Sequence, residues 1–222
     1  MVRKAERARL IAPTEFLDHR HPRVREFVDQ TVAGADDPAQ RAVRLYYAVR
    51  DGLDYEVYGQ DLSRSGLRAS AIVERGEGFC VHKSILYAAA VRAIGVPSRI
   101  VVSEVRNHLA SPQLRALVGG DVFVHWLTSV YLEDRWLRVT PVFNKTLCRL
   151  YGMPPLDFDG TSEARLHPFT DGRQMEFTAE HGEFDDVAYD QLTAIMQARH
   201  PAMYGAPVVP GQGSLSVEAR AT

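Results

Sequence analysis

The chain has 222 residues, 45% of them hydrophobic and 24% charged, with a formal net charge of -2. That length is enough to bury a sizeable core in one large domain, and the near-neutral balance gives no electrostatic footing for nucleic acid or an anionic membrane as partner. Two cysteines, Cys80 and Cys148, exclude a disulfide framework and predict free thiols in a reducing cytoplasm.

Residues 1–20 predict a strand or short helix; the opening MVRKAERARLIAPTEFL is basic but lacks the apolar centre of a secretion signal. No apolar run reaches the ~18–20 residues of a membrane span, so the expectation is a cytoplasmic protein. HPRVREFVDQTVAG carries helical spacing at Val24, Phe27 and Val28 and stops at Gly34. DDPAQRAVRLYYAVRDGL predicts a stronger helix, capped by Asp36 or Asp37, with Pro38 in the first turn. Leu67, Ala71 and Ile72 suit a short helix that RGEG breaks. A helix from Cys80 to about Ala93 follows, burying Ile85, Leu86, Ala89, Ala90 and Ala93, and GVP ends it. SRIVVSEV reads as a strand, RNHLASPQLRALVGGD as a loop, and VFVHWLTSVYLEDRWLRVTPVF as two strands joined at EDR. After Phe143 the periodicity fades into an ordered extension with one last helix in VAYDQLTAIMQARHPAMYG and a flexible tail. The boundaries are a single domain over 1–205, with its core at about 65–145 and its extension at 146–205, and a tail at 206–222. The class is α+β.

One address stands out. Cys80 follows the Gly76 and Gly78 turn and opens an apolar helix. Free N–H groups and the positive dipole end at a helix start favour thiolate over thiol and can hold an oxyanion. The alternative is a small buried cysteine that only packs. A nucleophile needs a base within reach. His82, two residues on, faces elsewhere on a helix; His125 lies on a strand among aromatic and apolar neighbours. Cys148 reads as packing. Cys80, His82 and His125 lack a recognised zinc spacing, so no metal and no cofactor are expected.

The phrases GFCVHKSILYAAAVRAIGVPSRIV and HWLTSVYLEDRWLRVTP resemble the transglutaminase-like cysteine superfamily over residues 65–145. In that family a glycine–X–cysteine opens a helix ending in R-x-x-G-[IV]-P-x-R, here Arg92 to Arg99. The histidine follows on a strand, and a W-x-x-V-D-P strand comes after a turn. The resemblance implies a papain-like fold, the cysteine helix packed on an antiparallel sheet that carries the histidine, and a Cys–His–Asp triad. Cys80 and His125 match. The third position falls at Thr140, which can accept a hydrogen bond from the ring but supplies no negative charge. Asn144, Asp121, Asp157 and Asp159 are the candidate substitutes. The extension, with TPVFN and FDG, is similar to a group of bacterial transglutaminase-like proteins. Gly78, Phe79, Trp126, Asn107 and His108 are the candidates for substrate binding.

Three functions stay open: hydrolysis or transfer through a Cys80 thioester with His125 as base; acyl transfer from a carrier or coenzyme A thioester, since ERGEGFC also resembles the R-G-G-x-C of arylamine N-acetyltransferases; and a non-catalytic binding module, which Thr140 favours. The partner expected is a small-molecule, peptide or carrier-bound acyl substrate.

Overall fold

The structure is a computed structural model that describes residues 2–107, 110–165, 167, 175–205 and 215. His108 and, apart from Leu215, the expected tail lie outside the described residues.

Three helices come first: α1 (Lys4–Leu10), α2 (Pro22–Val32) and α3 (Pro38–Gly52). Proline opens both α2 and α3, where its missing N–H costs nothing. The Asp37 carboxylate caps α3 by accepting from the Gln40 N–H at 2.9 Å. The two-residue strand β1 (Asp54–Tyr55) pairs in parallel with β2 (Glu77–Gly78), and α4 (Ala69–Arg75) lies between them. Then come α5 (Cys80–Ala93), β3 (Ser98–Arg106), α6 (Pro112–Val118), β4 (Val122–Leu132), β5 (Arg135–Val139), α7 (Lys145–Leu150), β6 (Glu176–Phe184), α8 (Tyr189–Arg199) and α9 (Ala202–Gly205).

The main sheet has the order β5-β4-β3-β6 and is antiparallel throughout. Glu133 and Asp134 turn β4 into β5 with φ of 45° and 61°, the left-handed pair that a two-residue hairpin requires. Arg138 on β5 reaches across the outer face to Glu180 at 2.8 Å and Glu183 at 2.8 Å on β6. A contact between the two edge strands means that the sheet curls over that face.

The central helix departs from the amphipathic expectation. Residues Cys80 to Arg92 are all buried, while Ala93, expected inside, is exposed. The helix is enclosed because α2, α3 and α4 cover the side facing away from the sheet. Its polar side chains are therefore matched to main chain. Lys83 Nζ donates to Arg50 O at 2.8 Å and Val142 O at 2.9 Å, and Ser84 Oγ donates to Trp126 O at 2.9 Å. The RAIGVPSR phrase is a structural clamp. Arg92 donates to Ser98 O at 2.8 Å, Ala12 O at 3.0 Å and Asp185 O, tying the helix end to β3, the N-terminal segment and the residues after β6.

Gly78 has φ of +156°, and a Cβ there would lie 2.5 Å from His82 Cβ. His82 cannot yield: its Nε2 sits 3.1 Å from Asp61 O and its ring packs on Phe79. Gly78→Ala is expected to cost roughly 2–4 kcal/mol, read as a lowered urea midpoint.

The region expected to be a loop between β3 and β4 holds α6, which Ser111 caps through Leu114 N–H at 3.0 Å. The extension adds a strand to the sheet, since β6 pairs along β3 with register shifts at two points.

Candidate active site

Phe79, extended and without a side-chain cap, leads into Cys80 at the first position of α5. The first-turn N–H groups of that helix are thus left for the sulfur. Strand β4 supplies the rest. In the hairpin, Leu132 pairs with Arg135, Val130 with Leu137 and Thr128 with Val139, so even-numbered β4 residues turn their peptide groups toward β5. β5 stops at Val139, which leaves the peptide groups of Val124 and Trp126 for other partners. Val124 N–H donates to His200 Nε2 at 2.9 Å, Val124 O accepts from the Cys80 thiol at 3.9 Å, and Trp126 O accepts from Ser84. The N–H groups of Trp126, Val81 and Cys80 all favour the thiolate.

Burial outweighs them: it pushes the Cys80 thiol up to about 11. It also drives the His125 imidazole down to about 4, helped by repulsion from His167. The thiolate expected from the helix start alone is therefore not the resting state. At neutral pH the site holds a thiol and a neutral imidazole.

Cys80 and His125 line one cavity. They are not hydrogen-bonded to each other among the described contacts: the thiol faces Val124 O, and His125 Nε2 is buried without a partner. Thr140 lies past the last β5 pair. Its N–H donates to Ala164 O at 2.8 Å, its C=O accepts from Tyr46 at 3.1 Å, and its buried Oγ1 has no partner.

The proposed substitutes for the missing aspartate are engaged elsewhere. Asn144 caps α7, its Oδ1 accepting from Leu147 N–H at 2.7 Å and its Nδ2 donating to Leu53 O at 3.5 Å. Asn144→Ala is expected to lower stability by about 1 kcal/mol, as for other caps, without changing Cys80 chemistry; urea unfolding beside a labelling assay checks both. Asp157 pairs with Arg50 at 2.8 Å, Asp121 lies 3.4 Å from Arg106, and Asp159 accepts from Thr161 and Ser162 N–H at 2.7 Å.

Of the expected substrate-binding residues, Phe79 and Asn107 line the cavity. Gly78 and Trp126 do not. Gly78 serves β2 and the close approach to His82. Strand alternation turns the Trp126 ring away from His125, toward Val81 and Leu192. Its contribution at the cavity is its peptide N–H.

Three features went unread in the sequence. Tyr55 from β1 joins the cavity wall. His200, after α8, accepts from Val124 N–H while its Nδ1 donates to Val118 O at 2.7 Å. Cys148 Sγ, expected only to pack, lies 3.7 Å from His167 Nε2, a buried thiol–imidazole contact. The RHP before the last turn was the one local signal for His200; nothing local marks Tyr55 or His167. Among the described residues no group of three or more His, Cys, Asp or Glu is placed to hold a metal ion, and no helix is long and apolar enough to cross a membrane.

The family model of the transglutaminase-like superfamily core matches residues 25–141. The chain belongs to the transglutaminase-like superfamily. A solved structure from Cytophaga hutchinsonii, presented there as a candidate cysteine protease, matches with a TM-score of 0.53 at 14% identity. The match covers 84% of this chain and 50% of that one, so this chain spans about half its length. No curated protein matches. The helix-on-antiparallel-sheet core is the papain-like, transglutaminase-like fold of that superfamily, and membership supports a cysteine-based catalytic role in general.

Proposed function

We propose that the protein performs cysteine-dependent acyl chemistry, with Cys80 as nucleophile and His125 as base. The observation that carries this reading is the shared cavity: a thiol at the first turn of α5, three peptide N–H groups around it, and a buried imidazole with a vacant Nε2. Sulfur attacks the carbonyl carbon of an ester, amide or thioester. As the C–S bond forms, the thiol proton passes to His125, and the carbonyl oxygen becomes an oxyanion held by first-turn N–H groups. His125 then returns the proton to the departing alcohol, amine or thiol, leaving an acyl thioester on Cys80. Water or another nucleophile releases the acyl group.

A free ion pair is not the resting state. Burial raises the thiol to about 11 and lowers the imidazole to about 4, so it opposes the ion pair from both sides. Proton transfer must therefore accompany bond formation. The test is peptide mass spectrometry after incubation with an alkyl acyl thioester. An acyl adduct on the Cys80 peptide, absent in Cys80→Ala, supports the reading. Adducts distributed equally between Cys80 and Cys148 oppose it.

A further inference from the structure

The geometry points to an uncharged, apolar acyl group as the substrate portion that enters this site, an aliphatic chain rather than a charged or peptide-like one. This rests on the proposed thioester chemistry at Cys80.

The walls carry the argument. The cavity that holds Cys80 and His125 has no Asp, Glu, Lys or Arg among its described lining residues. Phe123, Phe143, Met153, Met175, Met196 and Met203 are among its apolar walls. A charged acyl tail would lose its hydration there and find no counter-ion. His200 offers a ligand nothing, because both its ring nitrogens are engaged with Val124 N–H and Val118 O. The other polar side chains on the wall, Tyr55, Asn107 and Tyr151, are of uncharged types. The four methionines are unbranched and flexible, which suits an elongated chain of variable shape better than one rigid ligand.

The origin of these walls matters. The superfamily match ends at residue 141. Phe143, all four methionines, His200 and Leu215 come after it. The core thus supplies the reacting pair and part of the wall, Phe123 included, and the extension adds Phe143 and the four methionines, so the extension shapes much of the surface an acyl group would meet. Leu215 adds to that wall: it is buried, and its N–H is held by Glu56 Oε2 at 3.2 Å.

Binding can be read apart from chemistry. The full-length Cys80→Ala protein is titrated calorimetrically with decanoyl, hexanoyl, acetyl and succinyl thioesters of N-acetylcysteamine. The decanoyl probe is expected to bind at least about tenfold more tightly than the hexanoyl one, given the favourable transfer of each methylene, and acetyl and succinyl probes weakest. Met203→Glu, at a half-buried wall position, should weaken decanoyl binding at least about tenfold while the fold, followed by circular dichroism, persists. Equal affinity across the series, or preference for the succinyl probe, overturns the apolar-acyl inference even if wild type forms a Cys80 thioester. Chain-length-dependent binding without any adduct on wild-type Cys80 upholds the inference about the cavity and overturns only the catalytic reading.

Discussion

His125→Ala is expected to slow acylation of Cys80 at pH 7 by about 10²–10⁴-fold, the usual contribution of a positioned general base. The effect should lie toward the upper end. With the thiol at about 11, only on the order of one molecule in 10⁴ carries a thiolate at pH 7 without help. The variant loses the one buried imidazole in the cavity whose Nε2 has no other partner. Thr140→Asp makes a milder companion. A carboxylate restored at the position the superfamily uses would favour the imidazolium, and acylation should rise. Stopped-flow or quenched-flow mass analysis of the adduct reads both.

Acid sensitivity is the second large effect. Burial lowers His82 and His125 to about 4 and also lowers His19 and His200. In the unfolded chain each returns to its ordinary value near 6.5. Between about 6.5 and 4 the unfolded state therefore binds more protons than the folded one, and stability falls as pH falls. Each fully buried histidine contributes about 1.4 kcal/mol per pH unit below that upper value. His82 and His125 together approach about 3 kcal/mol per unit. Lys83, lowered to about 7, adds its slope chiefly above that value and little below about pH 6, where it is charged in both states. Urea unfolding at pH 7, 6 and 5 should show a steep loss, and His82→Gln should flatten it. Equal stability at pH 7 and 5 would contradict the buried, neutral histidines described here.

Much of the core was legible because local and global signals agree there. The helix bounds Cys80–Ala93 followed from the glycine turn before it and the GVP after it. The hairpin followed from two β-rich runs joined at EDR, of which Glu133 and Asp134 form the turn and Arg135 already belongs to β5. A cap from Asp36 or Asp37 followed from their place before Pro38, and the structure uses Asp37. The extension was illegible for a physical reason. β6 is stabilised by pairing with β3, and its side chains alternate weakly because most of them are exposed or half-buried. The enclosure of α5 was missed because periodicity reports one buried face, while Lys83, His82 and Ser84 were buried by carbonyl partners distant in sequence. At the site, the helix-start address marked Cys80 and the superfamily resemblance singled out His125, and the structure brings both to one cavity. They could not reveal that burial would reverse the expected direction of the thiol's shift. Nor could they show that Asn144 is spent on a helix cap.

The most direct measurement of the central claim is the pH–rate profile of acyl-Cys80 formation in wild type and His125→Ala. A neutral imidazole acting as base predicts a wild-type rate that is level from about pH 5.5 to 8, since His125 titrates near 4. The variant, dependent on spontaneous thiolate, should instead rise about tenfold per pH unit from 7 toward 10. Superimposable profiles in the two proteins would contradict His125 as the base, and the absence of any Cys80 adduct across the range would contradict Cys80 as the nucleophile.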